Sequence, residues 1–322
     1  MSRPMPARLL LLTDPGMVDH AAIGHPERPE RLEAAVQGVA DGAMAADAAL
    51  DRPAVEAADD LALQLVHPAW YLETLDAAAA QGGGWVDPDT HVGPHSMAAA
   101  RLAAGATLHG AVAVASGLAE VAFAVVRPPG HHAAAERAAG FCLINNVAVA
   151  AAGLRQAGLA QRIAIVDWDV HHGDGTQAIF DADPDLCYAS THQSPLYPGT
   201  GATSERGSGS AQGTKHNEPL PPGSGDAAFT AAWLERLLPA VEAFRPEAIL
   251  ASAGYDAHRD DPLANLEVTE AGYGTVGQAL GELSRRLGID GVTLTLEGGY
   301  DLRALRASVA ASVAGLLAGL RG

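Results

Sequence analysis

Residues 162–174 read RIAIVDWDVHHGD, and this stretch decides the fold. Ile163–Val166 is apolar without alternation, the pattern of a strand covered on both faces of a parallel sheet. A dense polar cluster follows at once. Outward along the chain the same design repeats: AFAVV (122–126) runs into RPPGHH, AIL (248–250) into SAGYDAH, and VTLTL (292–296) into EGGY. Further apolar runs at Leu9–Thr13 and Leu186–Thr191 complete a set whose other members are Ala122–Arg127, Arg162–Val170, Ala248–Ala253 and Val292–Glu297. Alanine-rich stretches between them, such as Ser96–Leu118 and Phe229–Phe244, are predicted helices, and Gly199–Gly225 a long surface loop. Strand–helix alternation predicts a doubly wound, mainly parallel α/β sheet flanked by helices, in a single domain over 1–322. In open parallel sheets ligand sites form beyond the carboxyl ends of the strands, so four segments are expected to deliver their polar residues to one place.

The cluster after Val166 has the composition of a metal site. In an extended segment Asp167, Asp169 and His171 share a face, with neighbours roughly 6.6 Å apart. Two such side chains can reach one ion whose donor atoms sit at about 2.0–2.2 Å. An acidic turn capping the next helix is the plainer alternative, but Asp169 buried beside an apolar strand calls for a counter-charge. Asp256, at another strand end where Gly254 permits a tight turn, completes three protein ligands and leaves a fourth position open, as a catalytic zinc requires. Two carboxylates and one imidazole also suit Fe(II) or another divalent ion. His131 and His132 follow a stiff Pro-Pro-Gly loop; their natural partners are Asp167 and Asp174, which would fix tautomer and basicity. Tyr300, after Gly298-Gly299, can bring its hydroxyl to a developing oxyanion.

Composition narrows the classes. Hydrophobic residues make up 48% of the 322, enough for a sizeable core, and the formal net charge of −18 disfavours direct nucleic-acid binding while suiting cationic ligands. Cys142 and Cys187 form no Cys-x-x-Cys pair, so both are expected to be reduced core residues. The start, MSRPMPARLLLLTDP, reads as a lead into a first strand rather than a secretory signal. Ala304–Leu320, interrupted by Arg306 and Ser312, reads as a packed helix rather than a membrane span. A cytoplasmic protein is expected; self-association is left open.

RPPGHH, GFCLINN, DWDVHHGDGTQ, SAGYDAH and LEGGYDL, in this order and preceded by HPERPERL at 25–32, resemble the zinc-dependent histone deacetylase family, which has the arginase/deacetylase fold. DWDVHHG and LEGGY are closer to its class II and bacterial type. The resemblance implies Asp169, His171 and Asp256 as zinc ligands, His132 as general base and acid, His131 as its electrostatic partner and Tyr300 as oxyanion donor. It implies an acyl-lysine tunnel walled by Phe141 and Tyr197, with the Gly140 carbonyl accepting the substrate amide N–H. It also implies a structural potassium ion on carbonyls of Asp167, Asp169, His171 and Thr191 and the Ser190 hydroxyl. Polyamine-specific relatives carry a glutamate at the tunnel mouth where Leu263 stands here, which favours an acylated lysine or similar N-acyl amine over a polyamine. An acetylpolyamine deacetylase, a non-catalytic acyl-lysine binding module and a two-metal ureohydrolase are the rival functions.

Overall fold

The computed structural model describes residues 8–322; of the N-terminal stretch, MSRPMPA lies outside the described residues. The strands are β1 (Arg8–Leu12), β2 (Ala49–Asp51), β3 (Gly84–Trp85), β4 (His91–Val92), β5 (Val121–Ala124), β6 (Ile163–Asp167), β7 (Leu186–Gln193), β8 (Lys215–Leu220), β9 (Ala248–Ala253) and β10 (Val292–Leu296). The helices are α1 (Glu30–Ala45), α2 (Asp60–Leu63), α3 (Ala69–Ala80), α4 (Ser96–Ala115), α5 (Asn146–Gln156), α6 (Asp174–Phe180), α7 (Asp226–Ala231), α8 (Leu238–Phe244), α9 (Glu270–Leu287) and α10 (Leu302–Arg321). A π-helical segment, Ala232–Leu237, joins α7 to α8, so the helix predicted over Phe229–Phe244 is one run with an earlier start.

Eight strands form one sheet in the order β2-β1-β5-β10-β9-β6-β7-β8, and every pair is parallel. The doubly wound expectation therefore holds. The four central strands β5, β10, β9 and β6 are the ones whose sequences end in polar clusters, so topology alone gathers those clusters at the middle of one edge. Val292, Leu294 and Leu296 pack toward α1, α9 and α10, while Ile163, Ile165 and Leu250 pack with α4 and α5 on the opposite side. Two helices, Ser96–Ala115 and Leu302–Arg321, are long and apolar enough to cross a membrane. Both turn their apolar faces into the protein: α4 buries Ala103, Ala106 and Val114, and α10 buries Leu305, Val309 and Leu316. Cys142 and Cys187 are buried free thiols.

Three local expectations need correction. The loop predicted over Gly199–Gly225 contains β8, which pairs from Tyr188↔Lys215 to Gln193↔Leu220. Its sequence KHNEPL hides it because an edge strand has one neighbour and tolerates polar residues and Pro219. The helix predicted to Leu118 ends at Ala115, where Gly117 turns left-handed at φ +69° and Leu118 N–H bonds back to the Ala113 carbonyl. The strand predicted to Val170 leaves the ladder after Asp167: Asp167 Oδ1 accepts from Asp169 N–H at 3.1 Å, and Asp169 Oδ1 from His171 N–H at 2.9 Å. These side-chain-to-backbone bonds fold the segment into tight turns, so simple alternation fails there. Asp167 Oδ2 meets His131 and Tyr188 instead of joining Asp169 and His171.

Candidate metal centre and active site

Asp169 and His171, from the loop after β6, meet Asp256, from the loop after β9. One donor atom from each lies within 4.8 Å of the others. His171 Nδ1 stands 3.2 Å from Asp169 Oδ1 and 3.1 Å from Asp256 Oδ2. Both carboxylates are fully buried. Burial and the charge of Asp169 push the Asp256 carboxyl up. Burial alone would lower His171, yet its hydrogen bonds to Asp169 and Asp256 carry it up to about 10. Two acids and an imidazole thus converge on one point that calls for positive charge, and the set of oxygen and nitrogen donors fits a divalent cation. Backbone groups hold the outer oxygens: Gly298 N–H donates to Asp169 Oδ2 at 2.7 Å and Val170 N–H to Asp256 Oδ1 at 2.8 Å.

The flanking glycines make room for the carboxylates. A Cβ on Gly254 would stand 2.0 Å from Asp169 Oδ2, and one on Gly298 would stand 2.1 Å from Asp256 Oδ2. Gly254 does not adopt a positive φ; a turn closed by His258 N–H on the Tyr255 carbonyl follows it directly, and Gly254 adds room for Asp169 beside it.

Above the cluster lie the paired histidines, ring centroids 4.1 Å apart. His131 Nδ1 faces Asp167 Oδ2 at 3.1 Å, and the Tyr188 hydroxyl donates to the same oxygen at 2.9 Å. His132 Nδ1 faces Asp174 Oδ1 at 2.7 Å, while Arg137 donates to Asp174 Oδ2 at 2.8 Å. Both sequence-predicted partners are therefore in contact. The two rings titrate in opposite directions. Burial disfavours charge on His131, but Asp169 and Asp167 raise it well above its ordinary value. Burial, reinforced by the neighbouring His131, lowers His132 to about 3. Oppositely shifted neighbours of this kind mark acid–base pairs.

A pocket of about 240 Å³ opens over these groups, and His132, Gly140, Phe141, Tyr197, Leu263 and Tyr300 all line it. Tyr197 stands edge-on to His132 at 5.1 Å between centroids and Phe141 edge-on to Tyr300 at 5.9 Å, and both aromatics line the pocket. Gly140 has φ +54°, and a Cβ there would meet His132 Cδ2 at 2.3 Å. Its carbonyl accepts from Cys142 Sγ at 3.2 Å, leaving a second lone pair. Burial raises the Tyr300 hydroxyl well above the ordinary tyrosine range. Of the residues assigned to potassium, Asp167 and Ser190 are register partners on β6 and β7, but the Ser190 hydroxyl already faces His192 Nδ1 at 3.0 Å and the Thr191 hydroxyl accepts from Trp233 at 3.1 Å.

Several supporting residues escaped sequence reasoning. Glu27 and Arg31 of HPERPERL, with Arg127 of RPPGHH, form a buried ion triad: Arg31 Nη1 to Glu27 Oε1 is 3.0 Å and Arg127 Nη2 to Glu27 Oε2 is 2.6 Å. Arg31 also donates to the carbonyls of Gly299, at 2.6 Å, and Glu297. Glu297 Oε2 accepts from Gly130 N–H at 2.6 Å, and burial pushes its carboxyl up to about 7. Asp261, raised to about 7 by burial and by the charge of Asp256, accepts from Tyr300 N–H. The available signal was charge inside motifs already singled out, but charged residues are ordinarily exposed and nothing local marks these as buried.

Fold and cluster together define a parallel α/β protein that presents, beneath a histidine pair, a carboxylate–imidazole cluster able to hold a metal ion. The sequence matches the histone deacetylase domain over residues 25–316, and the chain belongs to the histone deacetylase family. It is 41% identical to histone deacetylase 15 of Arabidopsis thaliana over 297 residues, covering 91% of this chain and 53% of that protein. Over 313 residues it is 39% identical to a probable deacetylase of Methanothermobacter thermautotrophicus, covering 96% of this chain and 90% of that protein. The chain spans about half the length of the plant relatives, histone deacetylases 14 and 15. Among solved structures, the HD domain of HDA15 has a TM-score of 0.90 at 38% identity, covering 98% of this chain and 92% of that one. The acetylpolyamine aminohydrolase from Burkholderia pseudomallei has a TM-score of 0.84 at 31% identity, covering 96% and 98%.

Proposed function

We propose that this protein is a metal-dependent deacylase that hydrolyses the N-acyl amide of a lysine side chain or a similar amine. The observation that carries the reading is the convergence of Asp169, His171 and Asp256 at a pocket that His132 and Tyr300 also line. A divalent ion held by these three residues, which we assign as zinc with Fe(II) as the alternative, supplies Lewis-acid polarisation of the carbonyl and acidification of a water. His132 is kept neutral by burial and by His131, and Asp174 engages Nδ1, so Nε2 is the nitrogen that takes the water proton and returns it to the leaving amine. Tyr300, protonated at neutral pH, donates to the carbonyl oxygen as negative charge develops there. Phe141 and Tyr197 flank a linear alkyl chain, and the free lone pair of the Gly140 carbonyl receives the amide N–H. A potassium ion on carbonyls of Asp167, Asp169, His171 and Thr191, with Ser190 turned from His192, belongs to the same proposal.

The net charge of −18 and the likeness to an acetylpolyamine aminohydrolase favour a second reading, a polyamine substrate. Leu263, an apolar pocket residue, weighs toward acyl-lysine because it offers no partner to a second ammonium. Acetate release from acetyl-lysine peptides and from acetylspermidine, with and without a zinc chelator, tests both. The expected result is chelator-sensitive turnover that favours the peptide. Faster turnover of acetylspermidine would replace the substrate, and peptide binding without acetate release would make the protein a reader module. Two metal ions per chain would point to a ureohydrolase.

A further inference from the structure

Two loops that border the pocket are fastened to one buried side chain that belongs to neither the metal cluster nor the histidine pair. Asp261 lies five positions after Asp256 and is only 7% exposed. Its Oδ1 accepts from Leu263 N–H at 3.0 Å, within the loop after β9, and its Oδ2 accepts from Tyr300 N–H at 2.7 Å, in the loop after β10. Asp261 N–H itself bonds to the His258 carbonyl at 2.9 Å, so the carboxylate is anchored at its own end. Tyr300 needs such an anchor. It follows Gly298 and Gly299, which carry no side chains to pack, and Gly299 sits at φ +119°. From the other side Arg31 holds the Gly299 carbonyl at 2.6 Å. The Tyr300 peptide is thereby gripped from two directions, by the Arg31 guanidinium on the preceding carbonyl and by a carboxyl oxygen of Asp261 on its own N–H.

We infer that Asp261 is a positioning residue: through the Tyr300 backbone it sets where the phenol hydroxyl stands over the metal cluster, and through Leu263 it sets the facing wall. The inference rests on the reading of Tyr300 as an oxyanion donor. A hydroxyl that must meet a developing charge within a few tenths of an ångström loses its effect when its backbone shifts, and a misplacement of about 1 Å can lower a rate on the order of 100-fold.

The test is a double-mutant cycle in the metal-loaded full-length protein. Asp261→Ala is expected to lower kcat roughly 10- to 100-fold with KM changed far less and metal content unchanged. Asp261→Asn, which keeps one acceptor oxygen, is expected to recover most of that loss. In the Tyr300→Phe background Asp261→Ala should have little further effect, because the group it positions is already gone. Should the alanine variant not fold, Asp261→Ser takes its place in the same cycle. Equal losses in both backgrounds, or a fully active alanine variant beside an impaired Tyr300→Phe, would overturn the role of Asp261 alone. A fully active Tyr300→Phe would overturn the reading of Tyr300 and this inference with it.

Discussion

At the scale of single residues, the site depends on groups whose charge is set by burial and one or two neighbours. Tyr300 offers a hydroxyl that stays protonated, so Tyr300→Phe removes one donor and should lower kcat by at least about 100-fold. Steady-state kinetics on an acyl-lysine peptide checks this; an unimpaired variant would take Tyr300 out of the chemistry. Asp256 is one of the three donors that converge among the described residues, and its carboxylate is buried against Asp169. Asp256→Asn should therefore strip or strongly weaken the metal, and elemental analysis with undiminished zinc would refute the ligand assignment. Glu27 is held at about 2: burial alone would raise it, but Arg127 and Arg31 bind its ionised form. Glu27→Gln leaves two buried guanidinium groups without their anion and should destabilise the protein by roughly 3–5 kcal/mol. A urea midpoint that does not move would show that the triad contributes no net stability.

At the scale of elements, the strands of the sheet are regular and the working geometry lies in the loops beyond them. Those loops tolerate few side chains. Gly140 combines a left-handed backbone with contact against the His132 ring, so its substitution strains the chain and displaces a histidine at once. Gly140→Ala is expected to cost at least about 1 kcal/mol from backbone strain and to reduce kcat more than it reduces stability. Thermal unfolding and turnover measured on the same preparation separate the two effects; a variant with native turnover would mean that His132 is free to shift. Phe141, next in line, also lies in the left-handed region at φ +70°, and its N–H is fixed by the Thr90 hydroxyl at 3.0 Å. The aromatic wall is thus built on strained backbone that its surroundings over-determine.

At the scale of the whole molecule, two buried neutral histidines contribute to the response to acid. His67 is fully buried, with Nδ1 facing the Ala135 carbonyl at 3.0 Å and Nε2 accepting from Asn145 N–H at 3.0 Å, so only the neutral ring satisfies both partners. Burial lowers its pKa to about 4, and the same cause lowers His20 to about 4. The unfolded chain binds these protons near 6.5 and the folded chain only near 4. Their stabilisation is therefore complete above pH 6.5 and drains away as pH falls toward 4, by roughly 3 kcal/mol for each ring. Asp261 and Glu297, both raised to about 7, act in the opposite sense across this window, so the test is a difference between variants: His67→Gln should reduce the slope of stability against pH, from urea unfolding, by about one proton. An unchanged slope would remove His67 from the acid response.

Most of the architecture was legible because a covered parallel strand must be continuously apolar, so a sudden polar cluster marks its end. That rule located the central strands, and the same ends carried Asp169, His171, Asp256, the histidine pair and Tyr300. It failed at β8, whose edge position removes the apolar requirement, and beyond Asp167, where side-chain-to-backbone bonds replace the ladder. By itself, then, the sequence determined the fold class, the edge of the sheet that bears the candidate site and the residue types of its carboxylate–imidazole cluster, since these follow from local pattern. Only the tertiary structure decided which buried charges support that cluster. Arg31 and the Gly299 carbonyl are 268 positions apart, and Glu27 and Arg127 are 100 apart. A charge is stable in the interior only beside a partner of opposite sign, and no local pattern in the chain names a partner that distant.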